Sequence, residues 1–486
     1  MVLPFYIIYF LSTFQIAAQL KMGGYNVGFT SALEKDYTRS FGNSDNGLFS
    51  ARPIQINIWY PTAQKGIKRM SIGDYCNLYL YQYNFSKKQK KEIDNNISLW
   101  KETFKAKGIN NTDSLLKLKT NALLDADFPQ KRHPVVMYIP GAEGEGFENF
   151  LLCEYLASYG YVVVSCPSFG PYDDQTSVYP LGIETQVADI NFLYGYLSKL
   201  SFADKTKVNL AGFSMGGLTT IVFAMQKQEE FISIISIDGS IRTHYEKAKN
   251  TPKFIPQQFH IPFLLFASNG ENWSDTLFIN RIKFANTYLA KVDSLSHLDF
   301  TSYNYFGNNE IKRKSYEAFC LLTKEFLEKT RNNDTSELKG ISDKTINISY
   351  KAGEKIKPVS SSTLKKMIAD KGIFESKQYY NQIMKIEPSL QLFDEWEFTV
   401  LAFKYFNVYK KPDDSIEIMK LVANAYPESY KAIGLLGRLY EKNNDKVNAF
   451  LYYTKALQRV QNIDVKSPPI LEDIQYYTER VKANSY

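Results

Sequence analysis

Val208-Asn209-Leu210-Ala211-Gly212-Phe213-Ser214-Met215-Gly216-Gly217 joins an apolar run to a helical pattern, GGLTTIVFAMQKQ. An apolar strand closed by Gly-x-Ser-x-Gly and continued by a helix puts the serine on a tight strand-to-helix turn. The letters alone are weak evidence; the strand before and the helix after supply the context. Gly212 and Gly216 let strand and helix approach without Cβ clashes, while Ser214 takes up the strained turn geometry. Its hydroxyl then stands at the carboxyl end of a sheet, beside a helix N-terminus.

Outward from this motif the same alternation repeats. HPVVMYIP (133–140), YVVVSCP (161–167), FISIISIDG (231–239) and IPFLLFASNG (261–270) are further apolar runs, separated by patterns such as ENFLLCEYLASYG and ETQVADINFLYGYLSKL. Continuous apolar strands alternating with helices predict an α/β fold, a mostly parallel sheet covered on both faces. Upstream, residues 20–65 are β-rich, with RPIQINIWYP (52–61) alternating. Residues 70–130 are polar and charged with helical stretches, and read as an insertion placed to lid the core. The α/β domain is therefore assigned to 20–330, a polar linker to 331–356, and an all-α region to 357–486.

A serine hydroxyl is a weak nucleophile and needs a base. The chain has four histidines. His133 opens a strand before the motif, His260 immediately precedes a strand, and His244 lies in a charged loop. His297, in SHLDF, stands where a Ser–acid–His order places the base. The acid must accept the second imidazole N–H and stabilise the imidazolium. Asp238 in SIDGS, and Glu271 and Asp275 after the next strand, all lie at strand ends; Asp299 is too close to His297 in sequence to orient it. An oxyanion hole needs two preorganised N–H groups. Met215 is assigned one, and Ala142, in the Gly141-Ala142-Glu143-Gly144 loop, the other. That loop lacks the spacing of a dinucleotide- or phosphate-binding loop, and no His/Cys/Asp cluster has metal-ligand spacing, so no cofactor and no metal are implied.

With these residues in place, the chain resembles the α/β-hydrolase superfamily. Within it, the chain is similar to the plasma-type (group VII) platelet-activating-factor acetylhydrolases and related bacterial esterases. The resemblance covers about 22–330 and is carried by GGYNVGF (23–29), RPIQINIWYPT (52–62), GFSMGG (212–217) and HLDF (297–300). It implies a serine esterase whose acid follows the strand after the nucleophile helix, which favours Asp238 over Glu271 or Asp275. The implied substrate is a small-molecule or lipid ester, with short carboxylic esters as the expected class. Acyl transfer and peptidase chemistry run on the same triad. A catalytically weak fold that acts as a binding module is the competing expectation, because Pro140-Gly141 stands where the family usually carries His-Gly.

In the C-terminal region, Pro388 and Pro427 each close an amphipathic helix. If Pro427 ends a unit of about 34 residues, the next unit puts Gly437, Ala449, Tyr453 and Ala456 at the small, small, aromatic and small positions of a tetratricopeptide-like repeat. Ser415 takes the small position of the preceding unit. Residues 357–461 are predicted to hold about three such repeats, with 467–486 as a capping helix. The functional expectation is a concave surface for a protein partner.

Composition bounds the rest. Lys+Arg of 58 against Asp+Glu of 51 gives only +7, and the Lys run KKQKK (87–91) reads as a solvated face, which excludes an evident nucleic-acid partner. Four cysteines make no disulfide framework. The Tyr and Phe excess falls largely in core strands and repeat helices and reads as packing; YCNLYLYQY (75–83) is kept as a candidate substrate contact. MVLPFYIIYFLSTFQIAAQ (1–19) is an apolar run ending in small residues, read as a signal peptide over 1–18 and hence secreted or periplasmic location. It is short for a membrane span, so no transmembrane anchor is expected.

Overall fold

The apolar runs form the middle of an 11-stranded sheet. The computed structural model describes residues 20–485 except 43–49, 83–87, 174, 252–253, 269–276, 335, 339–344 and 465–466. The segment read as a signal peptide (1–18) and the acid candidates Glu271 and Asp275 lie outside the described residues. The chain divides into two compact units, Met1–Glu354 and Lys355–Tyr486.

The strands of the first unit are β1 (Asn26–Phe41), β2 (Ser50–Thr62), β3 (Arg69–Ser71), β4 (Lys119–Leu124), β5 (His133–Ile139), β6 (Val162–Ser165), β7 (Ala203–Phe213), β8 (Phe231–Ile237), β9 (Phe263–Ser268), β10 (Thr287–Val292) and β11 (Asn347–Lys351). They are ordered β11-β10-β9-β8-β7-β5-β6-β2-β1-β4-β3. From β6 to β10 every pairing is parallel. β2 runs antiparallel to β6 and to β1.

The helices are α1 (Ile72–Leu78), α2 (Lys90–Ala106), α3 (Thr112–Lys117), α4 (Phe150–Ser158), α5 (Pro180–Tyr196), α6 (Met215–Met225), α7 (Tyr245–Lys249), α8 (Leu277–Arg281), α9 (Ser302–Tyr305) and α10 (Glu310–Arg331). Side chains of a strand alternate between faces, so each central strand feeds two cores. Val135, Met137 and Ile139 of β5 join Ile190 of α5 and Leu218 of α6. Val136 and Tyr138 join Leu156 of α4 and Phe326 of α10. Coverage on both faces is why these strands are apolar without interruption.

Two segments depart from the sequence reading. The stretch 331–356, read as a linker, contains β11, which pairs antiparallel with β10. Its alternation leaves only Ile348 and Tyr350 packed on the core, so its composition is that of a loop. The 70–130 insertion is tied to the core by a buried relay. Trp59 Nε1–H donates to Tyr75 Oη at 2.8 Å, and Tyr75 O–H donates to Glu154 Oε1 at 2.9 Å. Tyr75, only 1% exposed, is a core residue and not a substrate contact.

The motif arginine of RPIQINIWYP is buried. Arg52 Nε and Nη2 donate to Asp189 Oδ1 and Oδ2 at 2.7 and 2.6 Å, and its guanidinium also donates to the carbonyls of Gly170 and Phe169. Arg39 reaches the same carboxylate at 2.7 Å. Asp189→Asn leaves Arg52 buried without its counter-charge. The expected loss is about 3–5 kcal/mol, read as a lower urea midpoint for the first unit.

The second unit comprises α11 (Ser361–Lys371), α12 (Ile373–Ile386), α13 (Glu395–Asn407), α14 (Pro412–Ala425), α15 (Tyr430–Lys442), α16 (Lys446–Gln461) and α17 (Pro468–Asn484). Helices pack pairwise along the chain, α11 on α12, α13 on α14 and α15 on α16, with α17 against α16. Ala449, Tyr453 and Ala456 are fully buried. A Cβ on Gly437 would stand 3.1 Å from the Tyr453 ring, so only a small residue fits there. Ser415 is buried and its hydroxyl donates to the Ala402 carbonyl at 2.7 Å. Among the described residues no helix is long and apolar enough to cross a membrane.

Candidate active site

Ser214 lies between the end of β7 and the start of α6, with φ 51° and ψ −119°. A non-glycine residue in that region costs energy and persists only where its surroundings hold it. Here the Ser214 N–H donates to the Ile237 carbonyl, and the Ser214 carbonyl accepts from the N–H groups of Gly217 and Ser240. The flanking glycines are sterically required: a Cβ on Gly212 would lie 2.2 Å from the Gly216 carbonyl oxygen, and one on Gly216 would lie 2.2 Å from that of Ile139.

His297 opens a short turn after β10. Its Nε2 is 3.0 Å from Ser214 Oγ, and its Nδ1 is 2.6 Å from Asp238 Oδ2. A carboxylate only accepts, so Nδ1 carries the proton and Nε2 of the neutral ring is left to accept from the serine hydroxyl. The Phe213 ring stacks on the imidazole with centroids 4.7 Å apart, which fixes its plane. The other histidines are engaged elsewhere: His133 with the Gly160 carbonyl, His244 with Thr243, and His260 with the Gln258 carbonyl. Asp299 caps its own turn by accepting from Ser296 and pairs with Lys312 at 2.7 Å.

Asp238 immediately follows β8, with φ 44°. Both of its oxygens are occupied. Oδ1 accepts from the Ser268 N–H at 2.8 Å and pairs with Arg242; besides His297, Oδ2 accepts from the Ser268 hydroxyl at 2.9 Å. Burial alone would raise this carboxyl. The hydrogen bonds from His297 and Ser268, with the Arg242 charge, outweigh burial and hold it below the ordinary carboxylate range. Asp238 is thus a fixed anion under His297.

The loop after β5 runs beside Ser214, where a Cβ on Gly141 would stand 3.3 Å from Ser214 Cβ. Among the described residues no acceptor engages the Ala142 N–H. The Met215 N–H opens α6 and has no intrahelical partner, as in the first turn of any helix. Both are donors left over beside the serine. The loop is pinned from two sides. Gln186 donates to the Pro140 carbonyl at 3.0 Å and accepts from Thr219 of α6 at 2.7 Å, and the Gly141 N–H donates to Glu148 Oε1 at 3.1 Å.

An open cavity of about 820 Å³ adjoins His297. One wall is His297–Asp299 and Asn304; the other is the C-terminal turn of α2, with Thr103 and Lys107. Trp100 and Phe104 of α2 pack on Tyr303 at centroid distances of 5.3 and 6.2 Å, which anchors that wall. Among the described residues no group of three or more His, Cys, Asp or Glu side chains is placed to hold a metal ion.

The structure therefore brings Ser214, His297 and Asp238 into one hydrogen-bonded chain, with the Ala142 loop and Met215 beside it. Arg242, Ser268, Gln186 and Glu148 were not foreseen. Each is a common residue type with no motif around it, and only the folded geometry marks it out. No protein-family model matches the chain, and no curated protein matches it in sequence. Among solved structures it is similar to a ferulic acid esterase from Streptomyces cinnamoneus, with a TM-score of 0.50 and 15% identity, over 68% of this chain and 98% of that one. At that identity the likeness speaks for the fold: the chain carries an α/β-hydrolase-like, mostly parallel sheet followed by a run of C-terminal helices.

Proposed function

We propose that the first unit is a serine carboxylic ester hydrolase acting on short acyl esters, including acetyl and phospholipid-type esters. The carrying observation is the relay from Ser214 through His297 to Asp238, with contacts of 3.0 and 2.6 Å. His297 takes the Ser214 proton as Oγ attacks the ester carbonyl. The tetrahedral anion receives hydrogen bonds from the Ala142 and Met215 N–H groups, and Asp238 stabilises the imidazolium. The imidazolium then protonates the leaving alcohol. Water, activated by the same histidine, releases the acyl group. A serine within hydrogen-bond reach of its base supports this reading over an inactive binding module. The likeness to an esterase structure is consistent with it. The helical unit is proposed as a tetratricopeptide-like partner-binding surface, and the protein as secreted or periplasmic, resembling the platelet-activating-factor acetylhydrolase group.

The test is a panel of p-nitrophenyl esters of increasing acyl length, together with a fluorophosphonate probe. Turnover is expected to be fastest for the shortest acyl chains, with the probe on the peptide containing Ser214. The absence of both turnover and labelling would rule the esterase out.

A further inference from the structure

Glu148 plays no part in the triad, yet it sits directly behind the loop that carries Ala142. It is 5% exposed. Its Oε1 accepts from the Tyr138 hydroxyl at 2.9 Å and from the Gly141 N–H at 3.1 Å. Its Oε2 fills the space beside Gly144, where a Cβ would come within 2.5 Å of it. Its backbone carbonyl accepts from the Ser302 N–H at 3.0 Å, tying the loop to the segment that follows His297. One residue thus joins the Ala142 loop to the floor of β5 and to the histidine turn.

We infer that Glu148 is a positioning residue for the oxyanion hole, and that it holds the loop as an uncharged acid. This deepens the esterase reading and rests on it. An ionised carboxylate behind the hole would oppose the anion forming in front of it. Burial first, then the charge of Glu145, push the Glu148 carboxyl up to about 8, against the hydrogen bonds from Tyr138 and the Gly141 N–H, which favour the charged form. The groups facing it are Tyr138 from β5, Glu145 from its own loop, Cys153 from α4 and Tyr303 from α9. Burial pushes both tyrosines and the thiol far up, so none is charged near neutrality. Lys107, just past the end of α2, acts on Glu145, whose carboxyl burial also raises. As pH rises through about 8, Glu148 ionises and hydrolysis is expected to fall.

The experiment measures kcat and KM on a short p-nitrophenyl ester from about pH 5 to about pH 10 for wild type, Glu148→Gln and Glu148→Ala. Wild type is expected to lose about tenfold in kcat per pH unit on the alkaline side. Glu148→Gln keeps the acceptor for Gly141 and cannot ionise. It should stay within about threefold of wild type at neutral pH and hold its plateau above it. Glu148→Ala should lie about 10²-fold below the neutral plateau of wild type in kcat, without the alkaline limb and with KM little changed. Circular dichroism checks folding. Infrared titration of the substrate-free protein should show a protonated carboxyl that ionises near the alkaline limb and is absent in Glu148→Gln. A limb that persists in Glu148→Gln, or no limb in wild type, overturns the inference while leaving the esterase standing. Wild type that neither hydrolyses ester nor takes the phosphonate overturns both.

Discussion

Ser214→Ala is expected to lower kcat by about 10⁴–10⁶-fold, abolish fluorophosphonate labelling and leave KM and thermal unfolding nearly unchanged. The size follows from removing the only atom that the relay activates, Oγ at 3.0 Å from His297 Nε2. The small structural effect follows from how the turn is held. Its φ of 51° is imposed by backbone hydrogen bonds to Ile237, Gly217 and Ser240, none of which involves the hydroxyl. Alanine meets the same backbone conformation with a smaller side chain. The residual rate over water would come from the Ala142 and Met215 N–H groups. A variant with undiminished kcat would mean that another group attacks the ester.

Asp238→Asn is expected to cost about 10⁴-fold in kcat without a matching change in KM. The network around the residue dictates why. Ser268 N–H and Arg242 both donate toward Oδ1, so the amide oxygen must occupy that position. The amide nitrogen then faces His297 Nδ1 and donates to it. The ring proton moves to Nε2, which can no longer accept from Ser214. Arg242 also loses its ion pair with Asp238. Full kinetics of the variant, with fluorophosphonate labelling rates, test this; activity within tenfold of wild type would contradict it. A stability signature accompanies it. Because the folded Asp238 carboxyl lies below the ordinary range, its ionisation stabilises the fold above the unfolded carboxylate pKa, and this is lost as pH falls through the folded value. The Asp238→Asn variant would have no such pH-dependent contribution from this position.

Much of this arrangement was legible in the sequence because steric necessity writes itself into residue identity. Gly212 and Gly216 must be glycine where the backbones touch, and four histidines can be sorted by their place between strands and helices. Doubly covered strands such as VVMYI are apolar along their whole length, so they stand out without any alignment. β10 was not singled out, because TYLAKV mixes Lys291 among its apolar residues. The supports of the site were illegible for a different reason. Ser268 and Gln186 act through contacts between elements far apart in sequence, and Arg242 and Glu148, though only four to ten residues from their partners, reach them across turns that no local pattern announces. The same holds for Arg52, whose partner Asp189 lies on α5.

β11 has a consequence for the biosynthesis of the protein. The strand that covers β10 is made only after α10 and the polar stretch beyond it. On the ribosome, the parallel strands can assemble first, while β10 waits with a bare row of N–H and C=O groups, the kind of edge that recruits strands from other chains. β11 closes this edge, and the C-terminal helices are synthesised last. A nascent chain stalled, or a fragment cut, near residue 330 therefore carries an unfinished sheet and would be expected to self-associate, whereas one ending past Lys351 carries a finished one.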